Sequence, residues 1–236
     1  EFGLRGIYAS VDPDNPAIIL VGNDGGVYRS GDGEFDDATH LNTLPITQFY
    51  TCEIDRSRPE RLYGGAQDNG TVRTTTGSQN DWRNIYPGDG FRVLVDPVDN
   101  RYVYAEYQYG VFGRSTNGGS SFDIALDGII PGDRFNWNTP AVLNPIDPSI
   151  LYIGSQRLYK SDNRAETWMA ISPELTENNS PEVSPYGTIT TIAVSPVNDQ
   201  IIYVGTDNSN VQVTADGGST WTLVSSSLPD RWVTSV

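Results

Sequence analysis

Short runs of β-branched and aromatic residues alternate along the chain with turns rich in Gly, Asp and Asn, and this pattern predicts many short strands. Residues 21–35 show the unit most clearly. An apolar run ends in an Asn-Asp-Gly-Gly turn at 23–26, a second run follows at 27–29, and Ser-Gly-Asp-Gly at 30–33 turns the chain again. Two such turns so close together predict antiparallel hairpins.

The same order of runs and turns occurs five times. Each repeat opens with a strand that ends at a polar corner, and the corners are Asp12-Pro13, Asp55, Asp96-Pro97, Asn144-Pro145 and Ser195-Pro196. A second strand rich in β-branched and aromatic residues follows each corner. Successive repeats lie roughly 41 to 51 residues apart, which is the length of a four-stranded propeller repeat. The sequence therefore predicts an all-β propeller of about five four-stranded antiparallel blades.

The repeats also predict the domain organisation. We expect residues 1–236 to form a single β-propeller domain, because all-β folds of this length often remain undivided. The predicted repeats cover 4–48, 49–90, 91–138, 139–188 and 189–231. Residues 232–236 are predicted to be the first strand of a further blade, so we interpret the chain as a fragment of a longer propeller protein.

The turn after the third strand carries a resemblance to a known family. Residues 214–221, Thr-Ala-Asp-Gly-Gly-Ser-Thr-Trp, are similar to the Asp-box or BNR repeat, Ser-x-Asp-x-Gly-x-Thr-Trp. Residues 115–122 and 161–168 are weaker copies, 30–33 keeps the first half, and the second repeat lacks the box. The chain thus resembles BNR-repeat propellers of the sortilin-like and xyloglucanase-like groups. The resemblance implies a structural hairpin in which Asp accepts backbone N–H bonds and Trp packs between repeats.

Composition restricts the possible functions. The 30 acidic residues against 15 Lys and Arg give a net charge of −15, which argues against a nucleic-acid or anionic-membrane partner. Cys52 is the only cysteine, so an intrachain disulfide is excluded, and its apolar-polar surroundings predict an inert core thiol. A single histidine, His40, argues against a Ser/His/Asp triad. We expect a bacterial protein that is secreted or otherwise extracytoplasmic.

Alternate turns of an antiparallel blade lie on opposite faces. One face should therefore gather the turns between second and third strands together with the links between blades, and these segments are rich in carboxylates, amides and aromatic rings. Such groups bind sugars. The catalytic candidates are Asp68, Asp24, Asp89 and Glu106, with Asp207 beside them. The substrate-binding candidates are Gln67, Asn69, Arg92, Tyr107, Trp137, Arg157 and Trp232.

Two functions are compatible with this face. The first is a glycoside-hydrolase-like propeller that hydrolyses or binds a glycan. Two of the carboxylates would act as acid and base, about 5 to 5.5 Å apart for retention or roughly 6.5 to 9.5 Å for inversion. Asp68 is the leading candidate because amides and small residues surround it. The second is a non-catalytic, sortilin-like scaffold that binds a protein or peptide. Asp and Asn also favour turns without any further role.

The family resemblance also separates the enzyme candidates. Xyloglucanase-like enzymes resemble residues 22–29 at a segment with a catalytic Asp, but Asn23 stands at that position here and an amide cannot act as a base. Asp24 is the neighbouring carboxylate. Sialidases use three arginines, and Arg92, Arg157 and Arg231 match no motif of that kind.

The remaining expectations concern ions and partners. We predict no cofactor, although the acidic stretch 32–37 could hold a structural calcium ion. The expected partner is a glycan or polysaccharide, with no nucleic acid and no membrane. An open blade edge would also allow self-association.

Overall fold

The computed structural model describes residues 8–23, 26–34, 38–41, 47–177 and 187–236. Within these ranges it contains twenty strands and no helix. The strands form five four-stranded antiparallel sheets, here called blades 1 to 5, and each strand pairs with its neighbour in sequence. The prediction of an all-β, propeller-like fold of four-stranded antiparallel blades is confirmed.

The strand bounds follow the predicted repeats. Blade 1 contains β1 (Tyr8–Val11), β2 (Ile19–Asn23), β3 (Gly26–Ser30) and β4 (Thr39–His40). Blade 2 contains β5 (Thr51–Ile54), β6 (Leu62–Ala66), β7 (Gly70–Thr74) and β8 (Arg83–Tyr86). Blade 3 contains β9 (Val93–Val95), β10 (Val103–Tyr107), β11 (Val111–Ser115) and β12 (Asp123–Ile124). Blade 4 contains β13 (Ala141–Leu143), β14 (Leu151–Gly154), β15 (Leu158–Ser161) and β16 (Met169–Ala170). Blade 5 contains β17 (Ile189–Val194), β18 (Ile202–Thr206), β19 (Val211–Thr214) and β20 (Thr222–Leu223).

The chain divides into two compact units, residues 1–48 and 49–236. The first unit contains blade 1, and the second contains blades 2 to 5. The division coincides with the predicted boundary between the first and second repeats. Residues 232–236 are not part of a strand, although the Val233 N–H donates to the Thr206 carbonyl at 3.0 Å.

The core of the second unit lies between neighbouring blades. Strand β9 lies against β5 and β6, and β17 lies against β13 and β14. Three apolar clusters lie between successive blades of this unit, and they contain Tyr63, Tyr104 and Tyr152 in turn. The second strands of blades 3 and 4 are buried on both faces, which is why they read as continuous apolar runs rather than as alternating ones.

The turn after each third strand is closed by side-chain hydrogen bonds. In blade 5 the Thr214 hydroxyl donates to Asp216 at 2.8 Å, and the Thr220 N–H donates to the same carboxylate oxygen at 2.8 Å. Hydrogen bonds from Thr220 hold the pKa of Asp216 down at about 2. Asn117 and Asn163 accept the equivalent backbone N–H bonds in blades 3 and 4.

Blade 2 closes its turn in a way that the sequence did not reveal. Asp81 lies seven residues after Thr74 and accepts bonds from the hydroxyl groups of Thr74, Thr75 and Thr76. Asp81 therefore accepts the hydrogen bonds that close this turn, in place of the box residue that blade 2 lacks.

One expectation about the core is wrong. Cys52 is exposed on β5, together with Ile54, while Thr51 and Glu53 are half-buried. The predicted core thiol therefore lies at the surface, on the same side of β5 as the exposed Ile54.

Tryptophans at the ends of the turns bind the preceding blade. Trp168 of blade 4 is buried and donates its indole N–H to the Ala125 carbonyl of blade 3 at 2.9 Å. Trp221 of blade 5 donates to the Ile171 carbonyl of blade 4 at 3.2 Å. These bonds satisfy carbonyl groups at the ends of the outer strands and fix the distance between blades.

Replacing Trp168 by Phe tests this contact. The change leaves the Ala125 carbonyl without its donor in a buried place, so we expect the free energy of unfolding to fall by about 2 kcal/mol. Urea unfolding measures it. Trp82→Phe is the control, because Trp82 contacts Phe49 through its ring at 5.6 Å. An unchanged unfolding midpoint in Trp168→Phe would contradict the proposed role of the indole N–H.

Candidate functional site

Asp89 lies in the link between blades 2 and 3, and it pairs with Gln108 in the turn between β10 and β11. The Asp89 N–H donates to Gln108 Oε1 at 2.9 Å, and Gln108 Nε2 donates to Asp89 Oδ2 at 2.6 Å. The Asp68 N–H donates to the other oxygen, Asp89 Oδ1, at 2.8 Å. Both oxygens of this buried carboxylate therefore hold the link and two turns together.

Blade 4 repeats this arrangement with a carboxylate that sequence reasoning missed. Gln156 Nε2 donates to Asp133 Oδ1 at 2.6 Å, and the Arg134 N–H donates to Gln156 Oε1 at 2.6 Å. The Tyr159 hydroxyl donates to Asp133 Oδ2. Burial, and then the bond to Asp133, raise the pKa of Tyr159 to about 12. One feature of the sequence could have revealed Asp133. In both blades, an aspartate in the link before the blade is followed by a glutamine in the turn between the second and third strands.

Asp207 has a similar structural role in blade 5. Its carboxylate accepts the Thr188 hydroxyl at 2.6 Å, the Thr188 N–H at 2.9 Å and the Gly187 N–H at 3.1 Å. Its side chain is buried. Three of the aspartates on this face therefore connect inter-blade links to turns.

Glu106 lies in the interior, with no exposed surface. Its carboxyl group accepts the Thr139 N–H at 3.1 Å and the Arg92 N–H at 3.4 Å. Burial raises its pKa to about 8 from a usual value of 4.5. The Arg92 side chain is half-buried, and its Nε makes no hydrogen bond. Glu106 thus carries a proton at neutral pH, but no part of it is exposed to solvent or to a ligand.

An aromatic cluster lies beside the Asp89 pair. The Tyr50 ring lies 4.9 Å from the buried Phe91 ring and 6.0 Å from Trp137, and the Phe91 and Trp137 rings are 4.6 Å apart. Tyr50 is 42% exposed, so it presents a ring that two other rings support. Sequence reasoning missed Tyr50 as a site residue, although it follows Gln48 in the link between blades 1 and 2.

Polar groups surround the Tyr50 ring. Its hydroxyl donates to Gln67 Oε1 at 2.5 Å. Partial burial, followed by the charges of Asp89 and Asp68, raises the pKa of Tyr50, so both carboxylates lie near the hydroxyl. Tyr50, Gln67, Asp68, Asp89 and Trp137 are called the Tyr50 site below.

The backbone places Asp68 at the surface of this site. Gln67, Asp68 and Asn69 form an exposed three-residue turn, and Asp68 has a φ of 60°, which Asp adopts more readily than most residues. A Cβ atom at Gly90 would lie 2.1 Å from the Gly70 carbonyl oxygen. Glycine is therefore required at residue 90 for the link to approach the turn.

The other predicted site residues have different surroundings. Tyr107 packs on Tyr86, with ring centroids 5.4 Å apart. Arg157 pairs with Glu174 at 2.8 Å and with Asp133 at 3.6 Å. Trp232 is exposed. The structure therefore joins Asp68, Asp89, Gln67 and Trp137 in one site, while Asn69 lies on the same turn and Asp24 is outside the described residues.

Two cavities of the second unit lie away from the Tyr50 site. A cavity of about 310 Å³ is lined by Glu174, Leu175, Thr176, Glu177, Asn208, Asn210, Gln212 and Leu223. A second of about 210 Å³ lies next to Arg114 and Glu166. Neither is lined by a residue of the Tyr50 site.

The described residues include no group of three or more His, Cys, Asp or Glu side chains that could hold a metal ion. Asp36 and Asp37 of the acidic stretch lie outside those residues, so the calcium prediction stays untested. No helix long and apolar enough to cross a membrane occurs in the part of the chain that the structure describes.

Among the solved structures with a similar fold are glycoside hydrolases of the GH74 group. The chain is similar to an ancestral GH74 enzyme (TM-score 0.61, 18% identity, covering 98% of this chain and 33% of that one). It is also similar to the GH74 enzyme of Niastella koreensis (TM-score 0.55, 21% identity, 92% and 38% covered). A third is the GH74 xyloglucanase of Xanthomonas campestris (TM-score 0.54, 17% identity, 95% and 39% covered).

The chain spans between a third and two fifths of the length of these structures. No family model matches it, and no curated protein matches it. At this level of identity the likeness shows a common propeller fold.

The raised pKa of Glu106 predicts a pH-dependent stability. The folded protein holds a proton on this group that the unfolded chain releases near pH 4.5, so the free energy of unfolding should fall as pH rises from 4.5 to about 8. The slope is at most about 1.4 kcal/mol per pH unit. Urea unfolding between pH 5 and 9 measures this.

Glu106→Gln should remove this component of the pH dependence, because the amide mimics the protonated acid. Glu174→Gln, at an exposed carboxylate, should keep it. Identical pH profiles for the parent and Glu106→Gln would contradict the assignment.

Proposed function

We propose that the chain is part of a carbohydrate-active propeller protein and that the Tyr50 site binds a glycan. The observation that carries this proposal is the exposed Tyr50 ring, which Phe91 and Trp137 support and which Gln67 and Asp68 border. The fold shared with glycoside hydrolases supports the same conclusion.

The physical basis is a rigid platform with polar groups at its edge. A pyranose ring stacks its apolar C–H face on an exposed aromatic ring, while neighbouring amides and carboxylates bind its hydroxyl groups. Tyr50 is held in place by the Phe91 and Trp137 rings and by its bond to Gln67. A side chain that is already ordered loses little conformational entropy when the ligand binds.

A neutral glycan is also the partner that the charge of the chain favours. At a net charge of −15 the protein repels polyanions. The proposal includes an extracytoplasmic location, where polysaccharides are encountered.

A stronger form of this proposal is that the Tyr50 site also hydrolyses the glycan that it binds. Asp68 is exposed on the turn, and Asp89 binds its backbone N–H, so these two carboxyl groups belong to the same small region. Asp68 would be the catalytic carboxylate, because its side chain is exposed on the turn whereas Asp89 is buried. The alternative, a sortilin-like domain that binds a protein or peptide, would use the same surface without turnover.

Replacing Tyr50 by Ala tests glycan binding. The change removes the exposed ring, so we expect affinity for the bound polysaccharide to fall at least about tenfold, or about 1.4 kcal/mol. Trp137→Ala should act in the same direction because it removes support for Tyr50. Affinity electrophoresis against a polysaccharide panel, followed by calorimetry on the best ligand, measures both changes.

Met169→Ala is the control for this experiment, since Met169 is exposed on β16 of blade 4 and away from the Tyr50 site. If no member of the panel binds the parent protein while a peptide library yields a ligand sensitive to Tyr50→Ala, the scaffold alternative replaces the glycan proposal.

Turnover is tested with Asp68→Asn. The amide keeps the size of the side chain and also tolerates a positive φ, so the variant should fold as the parent does. If Asp68 is catalytic, we expect release of reducing sugar to fall at least about a hundredfold with affinity retained. Asp123→Asn, on the outer strand β12, is the matched control. Equal turnover in the parent and Asp68→Asn would remove Asp68 from the mechanism.

A further inference from the structure

A tyrosine in the second strand of each blade of the second unit occupies the same position. Tyr63 packs against Val93, Val95 and Val103 of the next blade, and Tyr104 belongs to a cluster with residues of blade 4. Tyr152 packs against Ile189, Ile192 and Ile202 of blade 5. All three tyrosines are buried, whereas Tyr203, the equivalent residue of blade 5, is 42% exposed.

The remainder of the blade 4 face has counterparts in blade 5. The Ile171 N–H donates to the Leu158 carbonyl at 2.9 Å, and the Val224 N–H donates to the Val211 carbonyl at 2.9 Å. Because the same backbone bond occurs in both blades, Leu158 corresponds to Val211 and Ile171 corresponds to Val224. Four residues further on, Leu175 of blade 4 corresponds to Leu228 of blade 5.

Apolar side chains thus occur at matching positions of the two faces. On blade 4, Leu158 and Leu175 are buried under blade 5. On blade 5, Val211 is buried like its counterpart Leu158, but Val224 is 44% exposed and Leu228 is 55% exposed. Tyr203, Val211, Val224 and Leu228 are called the blade 5 face below.

The segment that follows blade 5 makes the same backbone contact with blade 5 that the start of blade 5 makes with blade 4. The Ile189 N–H donates to the Ser155 carbonyl at 2.8 Å, and the Ile189 side chain lies against Gly154. The Val233 N–H donates to the Thr206 carbonyl at 3.0 Å, and the Val233 side chain lies against Gly205. Val233 therefore occupies the position that Ile189 occupies where blade 5 begins.

We propose that the blade 5 face is a docking surface for a further four-stranded blade of this repeat, joined to blade 5 through Val233. Its turn tryptophan would donate its indole N–H to the Val224 carbonyl. Trp168 and Trp221 make the same bond to Ala125 and Ile171, the residues that correspond to Val224 in blades 3 and 4. The inference does not depend on the glycan proposal.

An appended repeat tests the docking surface. Residues 1–233 are followed by a second copy of residues 190–231, so that Val233 takes the place of Ile189. We expect nitration of Tyr203 by tetranitromethane, followed by mass spectrometry, to slow at least about tenfold because the new blade covers it. Tyr109, which is 53% exposed on the second turn of blade 3, should react at the same rate with and without the extension. The control extension carries Trp221→Ala in the appended copy and should protect Tyr203 less.

The chain without the extension supplies a second measurement. Tyr203→Ser and Leu228→Ser should leave its unfolding midpoint unchanged, whereas Tyr152→Ser and Leu175→Ser should lower it, because only the latter pair is covered. An equal loss of stability in both pairs would overturn the proposal.

Two further results would overturn it. One is an appended repeat that is digested by protease, with Tyr203 still reactive, while residues 49–231 stay intact. The other is protection of Tyr203 in the unextended chain that rises with protein concentration alongside a dimeric mass, since the occupant would then be a second copy.

Discussion

The second strands of blades 3 and 4 are buried by neighbours on both of their faces. Val103, Tyr104 and Ala105 of β10 are all fully buried, and a four-stranded sheet cannot bury both of its faces alone. The blades of the second unit therefore pack one against the next through a repeated tyrosine and a repeated tryptophan. The indole N–H of Trp168 and of Trp221 adds a directional bond to this apolar contact.

This packing also determines what the polar residues between the blades do. Links and turns carry backbone groups into buried places, where an unpaired N–H or carbonyl is costly. Asp89 and Asp207 accept backbone N–H bonds directly. Gln108 and Gln156 accept the backbone N–H groups of Asp89 and Arg134, and each glutamine donates its own amide N–H to an aspartate, Asp89 or Asp133. The carboxylates that make the face acidic in sequence thus serve mainly to hold it together. The proposed glycan site therefore uses groups that are not part of these bonds, above all the exposed Tyr50 ring.

The sequence predicted the fold well because each repeat contains its own turns and its own strand pattern. It predicted the site less well, because an aspartate in a turn looks the same whether it binds a sugar or a neighbouring link. Glu106 is the clearest case: it follows the apolar run directly and was predicted to lie in the turn, whereas the structure places it inside β10 and buries it completely. Tyr50 was missed for the opposite reason, because its exposure depends on Phe91 and Trp137, which come from two later links.

The central claim is that the aspartates between the blades are structural and that the Tyr50 site is the ligand surface. Nuclear magnetic resonance of the isotope-labelled protein, titrated with an oligosaccharide panel, tests it most directly. The account predicts shift changes at the Trp137 indole N–H and at the Gln67 side-chain amide, with the Gln156 amide unchanged. Changes confined to Asn208, Asn210 and Gln212, which line the cavity beside Glu174, would contradict it.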